Sequence, residues 1–178
     1  MSTRIKVRKS VPRDIAEIEA LYPSAFADED LLPLVKALLC EGKEGKEVLS
    51  LTGIIDGDLA GHAFFTPCEI TDFAAKVALL GPLAVEPASQ KIGVGTAMIG
   101  EGFRHLKRDG IDIVFVLGDP AYYTRFGFTP EAIVAPPYPL PDEWRDAWQS
   151  VALDGAKSTC RGMLVVPRPW RQAALWAP

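Results

Sequence analysis

Histidine and cysteine are scarce in this chain, and both shortages exclude chemistry. Two histidines, His62 and His105, are too few for a histidine-built metal site, so no metal is expected. Three cysteines, Cys40, Cys68 and Cys160, are odd in number and widely spaced. They show neither a disulfide framework nor a zinc pattern, and are read as reduced, buried thiols. No apolar run approaches the ~20 residues that span a bilayer. The opening MSTRIKVRKS has no apolar signal core behind its charges, which points to the cytoplasm and to no membrane partner. Positive charge is not in excess either. The net charge of −4 argues against nucleic acid as a partner and suits, weakly, a cationic amine.

What is present is enough for one domain with a real core. The chain has 178 residues, 48% of them apolar and 24% charged. Its organising stretch is Leu79–Thr96, LLGPLAVEPASQKIGVGT. An apolar run, Leu79–Val85, leads through a polar corner into Gln90-Lys91-Ile92-Gly93-Val94-Gly95-Thr96. A segment of helical composition follows. Strand, glycine turn and helix start together form an anion site: glycines permit close backbone approach, and the first helical N–H groups point at the ligand. A diphosphate is the expected guest. A Walker loop is excluded by spacing, and a dinucleotide fingerprint lacks its third glycine, where Met98 stands.

The remaining chain reads as follows. Ile5–Arg8 alternates as a strand. Pro12-Arg13-Asp14 opens a helix with Ile15, Ile18 and Leu21 on its stripe, and Pro23 is expected to stop it. Asp28-Glu29-Asp30 is expected to start a second helix with a leucine-rich buried face, and Glu41–Glu47 to be a loop. Val48–Ile55 and Leu59–Thr66 flank Asp56-Gly57-Asp58, a hairpin signal. Pro67 is expected to break the strand or mark an edge. Phe73–Val85 is the next strand. The helix after the glycine turn ends at Asp109-Gly110, and Gly100 and Gly102 within it suggest close packing on the sheet. Ile111–Leu117 is a buried strand, parallel to the one ending at Val85 through a βαβ crossover. A turn at Gly118-Asp119-Pro120 precedes a short helix, Ala121–Phe126. Beyond Pro130, four prolines stiffen a connector. Asp142–Trp148 is a helix start, Trp148–Leu153 and Cys160–Val166 are strand candidates, and Trp144, Trp148, Trp170 and Trp176 are read chiefly as packing.

Two motifs carry a resemblance. Gln90, Gly93 and Gly95 form Q-x-x-G-x-G, and Tyr123-Thr124-Arg125-Phe126-Gly127-Phe128 forms Tyr-x-x-x-Gly-Phe. In this order and at this distance they resemble the GNAT N-acetyltransferases, in particular a YhbS-like subgroup. The likeness is strong over about Leu79–Phe128 and fainter on either side. It implies an α/β (α+β) single-domain fold over residues 1–178. The core would run from about 4 to 130, with a Pro/Trp-rich extension over 131–178. The sheet would be mixed and mostly antiparallel, with one splayed parallel pair and helices on both faces. It also implies an acyltransferase that moves an acetyl group from acetyl-CoA to a small-molecule or peptide amine. The backbone of Leu83, Ala84 and Val85 would take the pantetheine arm and the acyl carbonyl. The N–H groups of Gln90, Lys91, Ile92, Gly93, Val94, Gly95 and Thr96 would hold the pyrophosphate. Lys91 stands where the family often has glycine, and Asp119 where it often has asparagine near the pantetheine. Tyr123 occupies the position of the acid that protonates the leaving thiolate, with Tyr122 as its rival. Glu69 is the candidate base, with Glu86 and Asp72 as further options; a water chain would need none. A homodimer is admitted, not required. The alternative to an enzyme is an acyl-CoA-binding module or sensor without turnover.

Overall fold

The computed structural model describes residues 3–43, 47–155 and 160–177. Strand β1, Ile5–Lys9, leads through a 3-10 turn at Pro12–Asp14 into helix α1, Ile15–Ala25. Asp14 ties this corner: its carboxylate accepts from the Val11 N–H at 2.8 Å and from Arg8 Nη1 and Nη2 at 2.6 and 3.0 Å. The Arg8 hydrogen bonds hold the Asp14 carboxyl below the usual carboxylate range. Pro23 does not stop α1. The helix runs on to Ala25, and Phe26 N–H donates to Tyr22 O at 2.9 Å. So near its C-terminal end, a helix loses only one donor to a proline.

Helix α2 covers Leu32–Lys43. The acidic run Asp28–Asp30 lies before it rather than in it, and Pro33 occupies the first turn, where a missing N–H has no intrahelical role. Leu34, Val35 and Leu38 are buried. The helix enters the expected Glu41–Glu47 loop as far as Lys43, and residues 44–46 of that loop lie outside the described residues. Cys40 on this helix is exposed, against expectation, because it lies off the buried face; Cys68 and Cys160 are buried. Burial pushes the Cys68 thiol up to about 12, which makes it inert.

Strand β2, Leu49–Ile55, and β3, Asp58–Ile70, form the expected hairpin. Asp56 and Gly57 both take positive φ, 51° and 95°, the two-residue turn that matches strand twist. Pro67 does not break β3. The β2 ladder ends at Leu49↔Phe65, and β9, Gly162–Val165, pairs only from Glu69↔Val165. Pro67 falls between these ladders, so neither asks it for a donor.

Strand β4, Phe73–Val85, precedes helix α3, Val94–Arg108, and strand β5, Ile113–Leu117. Then come the short helix α4, Pro120–Tyr123, and strands β6, Thr129–Pro130, β7, Val134–Ala135, and β8, Trp148–Ala152. The segment Asp142–Ala147 is 3-10 rather than an α-helix start. Strands bond in the order β1-β2-β3-β4-β5-β8-β6, with β9 on β3 and β7 on β9. Pairing is antiparallel for β1–β2, β2–β3, β3–β9, β5–β8 and β6–β8. β4 and β5 are parallel, Val77↔Ile113 to Leu80↔Val116, and the two-residue β7–β9 bridge is also parallel. This is the mixed sheet the resemblance implied.

The chain divides into two compact units. One holds the residues up to Phe65 with Gly81–His105; the other holds Thr66–Leu80 and the residues from Leu106 on. The first is packed around Ile18, Leu21, Leu51, Phe64, Phe65 and Met98, and the second around Val114, Phe115, Phe128, Trp148, Trp170 and Trp176. Trp148 stacks on Phe115 at 5.4 Å between centroids and meets Trp176 edge-on at 5.8 Å. Such pairs contribute about 0.5–1.5 kcal/mol beyond area burial. The indole N–H groups of Trp148, Trp170 and Trp176 donate to Val134 O, Thr66 Oγ1 and Trp170 O. These three tryptophans are packing, as their setting in the sequence suggested. No helix among the described residues is long and apolar enough to cross a membrane.

Candidate functional site

In the first unit, β4 ends at Val85 and the chain turns into α3. A 3-10 turn at Pro87–Ser89 comes first, then Gln90 in extended conformation. Gln90 Nε2 donates to Val85 O at 3.3 Å, which ties the turn back to the strand end. Lys91 and Gly93 both take positive φ, 64° and 99°. The Lys91 angle explains why glycine suits that position: a side chain there costs about 1–2 kcal/mol. Gly93 O accepts from Ala97 N–H at 3.0 Å, the first helical bond. The N–H groups of Val94, Gly95 and Thr96 therefore have no acceptor four residues back. They sit at the positive end of a 15-residue helix. Gln90, Lys91, Ile92, Gly93 and Thr96 are exposed, whereas Val94 and Gly95 are buried. A cradle of backbone amides, with one ammonium group beside it, suits a diphosphate.

The seat of α3 involves residues that the sequence reading did not single out. Gly53 of β2 and Gly61 of β3 are register partners. A Cβ at Gly53 would lie 2.9 Å from Val94 Cγ1, and one at Gly61 would lie 2.8 Å from both Val94 Cγ1 and Met98 Cε. Glycine inside a strand pattern was the available signal. Gly102 behaves likewise, since a Cβ there would stand 2.1 Å from Phe65 Cζ; at Gly100 nothing lies within 4 Å.

Along the end of β4, Leu83 and Val85 are half-buried and Ala84 is buried, the alternation of a strand. The parallel ladder with β5 stops at Leu80. Gly81, at φ 139°, and Pro82, without an N–H, follow at once, so regular pairing has no means to continue. Leu83, Ala84 and Val85 thus lie beyond the last paired residue of that ladder.

Among the other carboxylates, Glu86 accepts a 3.4 Å hydrogen bond from Ser24 Oγ in this unit. The α1–α2 connection borders a cleft of about 330 Å³ lined by Pro23, Phe26, Leu31 and the acidic residues Asp28–Asp30. His62 is fully buried, and both ring nitrogens are engaged, with Tyr22 and Ser50. Burial lowers its pKa to about 3, so it is neutral and no base.

The second unit carries Glu69, Asp119, Tyr122 and Tyr123. Asp119 caps α4: its Oδ1 accepts from Ala121 N–H at 2.9 Å. Gly118 is held from two sides, its N–H donating to Ala147 O at 3.0 Å and its carbonyl accepting from Gln149 Nε2 at 3.1 Å. Tyr123 lies against it so closely that a Cβ at Gly118 would be 2.4 Å from Tyr123 Cε2. The Tyr123 ring meets Phe128 edge-on at 5.6 Å and Tyr122 at 5.0 Å. Tyr122 instead carries the Arg125 guanidinium over its face at 4.9 Å. Burial raises both phenol pKa values, that of Tyr123 much further. Tyr123 therefore keeps its proton throughout the neutral range. Gly127, at φ 90°, closes the 3-10 turn Thr124–Phe126 and explains the glycine of the second motif. Glu69 is exposed and lies within β3, opposite Val165; Asp72 is exposed in the β3–β4 turn, at φ 55°. Gln149 and Gly118 are the residues that sequence reasoning missed here, because their partners are distant in the chain.

The Acetyltransferase (GNAT) family model matches residues 13–128. Over 172 residues the chain is 34% identical to the uncharacterized N-acetyltransferase YjhQ of Escherichia coli K12, covering 94% of this chain and 93% of that protein. The crystal structure of a Brucella melitensis GNAT family acetyltransferase in complex with acetyl-CoA is similar at a TM-score of 0.74, with 27% identity over 94% of this chain and 98% of that one. The Escherichia coli N-acetyltransferase YhbS in complex with CoA is similar at 0.82, with 25% identity over 97% and 94%. The family match runs from the start of α1 to the Gly-Phe turn, and both motifs fall inside it with the backbone angles their glycines need: the chain belongs to the GNAT family of acetyltransferases.

Proposed function

We propose that this protein transfers the acetyl group of acetyl-CoA to a primary amine of a small molecule or peptide, in the cytoplasm. The observation that carries the reading is the left-handed turn at Lys91–Gly93, which delivers the open end of α3. Amides of Val94, Gly95 and Thr96 hold the pyrophosphate, and Lys91 adds charge beside it. Backbone groups of Leu83 and Val85 hold the pantetheine arm, and the Leu83 N–H polarises the acyl carbonyl. The neutral acceptor nitrogen attacks that carbon. As the C–S bond breaks, Tyr123 donates its proton to the sulfur, and the amine proton leaves to Glu69 or to water. Glu69 is supported only by its exposure and its place on β3. The test is release of free CoA thiol from acetyl-CoA across a panel of amines. Amine-dependent release supports the transferase. Tight acetyl-CoA binding with no release on any amine supports an acyl-CoA sensor instead.

A further inference from the structure

Five polar groups inside the first unit stand in single file. Ser10 Oγ is 2.8 Å from Ser50 Oγ, and Ser50 Oγ is 2.7 Å from His62 Nε2. His62 Nδ1 is 2.7 Å from Tyr22 Oη, which lies 3.2 Å from Pro82 O. His62 is 0% exposed and Tyr22 1%. A carbonyl only accepts, so Tyr22 donates to Pro82 O. His62 meets the Tyr22 oxygen through Nδ1 and the Ser50 oxygen through Nε2. Burial keeps the ring neutral at working pH, so one of these nitrogens donates and the other accepts.

The last acceptor belongs to the Pro82–Leu83 peptide. That unit is planar, and its C=O and N–H point in opposite directions. Holding Pro82 O therefore aims the Leu83 N–H. Glu86 N–H donates to Ala60 O of β3 at 2.8 Å, and alternation along the strand turns the Leu83 N–H away from β3. Pro82 offers the ladder no donor, and Gly81 sits at φ 139°. The Tyr22 hydroxyl adds a restraint of its own on the Pro82 carbonyl.

We infer that Tyr22 and His62 are positioning residues for acyl transfer, which through the Pro82 carbonyl hold the Leu83 N–H in line with the thioester carbonyl. The inference rests on the assignment of Leu83 proposed above. A donor fixed in advance polarises a carbonyl more strongly than one that must reorient.

The experiment is the infrared carbonyl stretch of carbonyl-labelled acetyl-CoA bound to the intact protein, for wild type, Tyr22→Phe and Ser50→Ala. Circular dichroism and melting establish that each variant is folded. Wild type is expected to lower the stretch relative to free acetyl-CoA. In Tyr22→Phe the band should return toward the free position and broaden. Its kcat should fall about tenfold to a hundredfold, with KM for acetyl-CoA within about twofold. Ser50→Ala, which leaves Tyr22 in place, should give an intermediate band. A folded Tyr22→Phe with the wild-type band overturns the clamp alone. If that variant fails to fold, a wild-type band in Ser50→Ala overturns it instead. An unshifted band in wild type removes the Leu83 assignment and the clamp together. Failure of wild type to bind acetyl-CoA removes the proposed function as well.

Discussion

Two helices of this protein start just after a strand, and their N-termini have opposite chemistry. Helix α3 is preceded by Gly93, which has no side chain to offer its first turn. Helix α4 is preceded by Asp119, whose carboxylate accepts from Ala121 N–H. The first start has orphan amides and the positive end of a long helix's dipole, with no side chain on the preceding residue to cap them. The second is closed by the chain's own anion, and what it presents is a phenol. The proposed anion site thus needs a missing cap as much as it needs a flexible turn. A single residue, glycine or aspartate, separates backbone chemistry from side-chain chemistry.

Closing the open start should have the largest effect. Gly93→Asp places a carboxylate in the cradle and a Cβ at φ 99°, so acetyl-CoA binding should vanish in calorimetry. Normal affinity in this variant would erase the contrast between the two helices. At the closed start, Tyr123→Phe should lower turnover about a hundredfold and leave acetyl-CoA affinity intact. The phenol pKa lies above its usual ~10, so this group should give wild type no falling limb in the pH–rate profile below that pH. A limb near neutrality that disappears in the variant would assign the group a different role.

The seating of α3 is tested by one substitution made at two places. Gly102→Ala meets the Phe65 ring and should destabilise by about 1–3 kcal/mol. Gly100→Ala meets nothing and should stabilise by up to about 1 kcal/mol. Equal melting shifts would mean that α3 is not held down where its contacts place it. The smallest effect belongs to Asp119→Ala, which opens the closed start at a cost of about 1 kcal/mol in denaturant unfolding. Its effect on acetyl-CoA affinity should be well below that of Gly93→Asp. A comparable loss would make Asp119 a ligand-binding residue rather than a cap.

Turns were legible in the sequence where conformation demands a residue type. Asp56-Gly57, Gly93 and Gly127 all take positive φ, and each stood out from its neighbours. Pro23 and Pro67 misled for a shared reason. A proline removes a donor, and whether that donor was needed depends on partners elsewhere. For Pro67 the answer lay in where the β2 ladder ends and the β9 ladder begins. The polar file around His62 was equally hidden, because Tyr22 lies forty residues before it and Ser50 twelve. Gly53 and Gly61 were not singled out in the sequence, because the helix that approaches them lies more than thirty residues further along the chain.

That glycine pair has a consequence for how affinity is controlled. Val94 rests on bare backbone at both positions, so the height of the glycine turn above the sheet is set from underneath. A methyl group planted at Gly61 would act as a shim, lifting the amides and, under the proposed function, detuning their grip on a phosphate that it never touches.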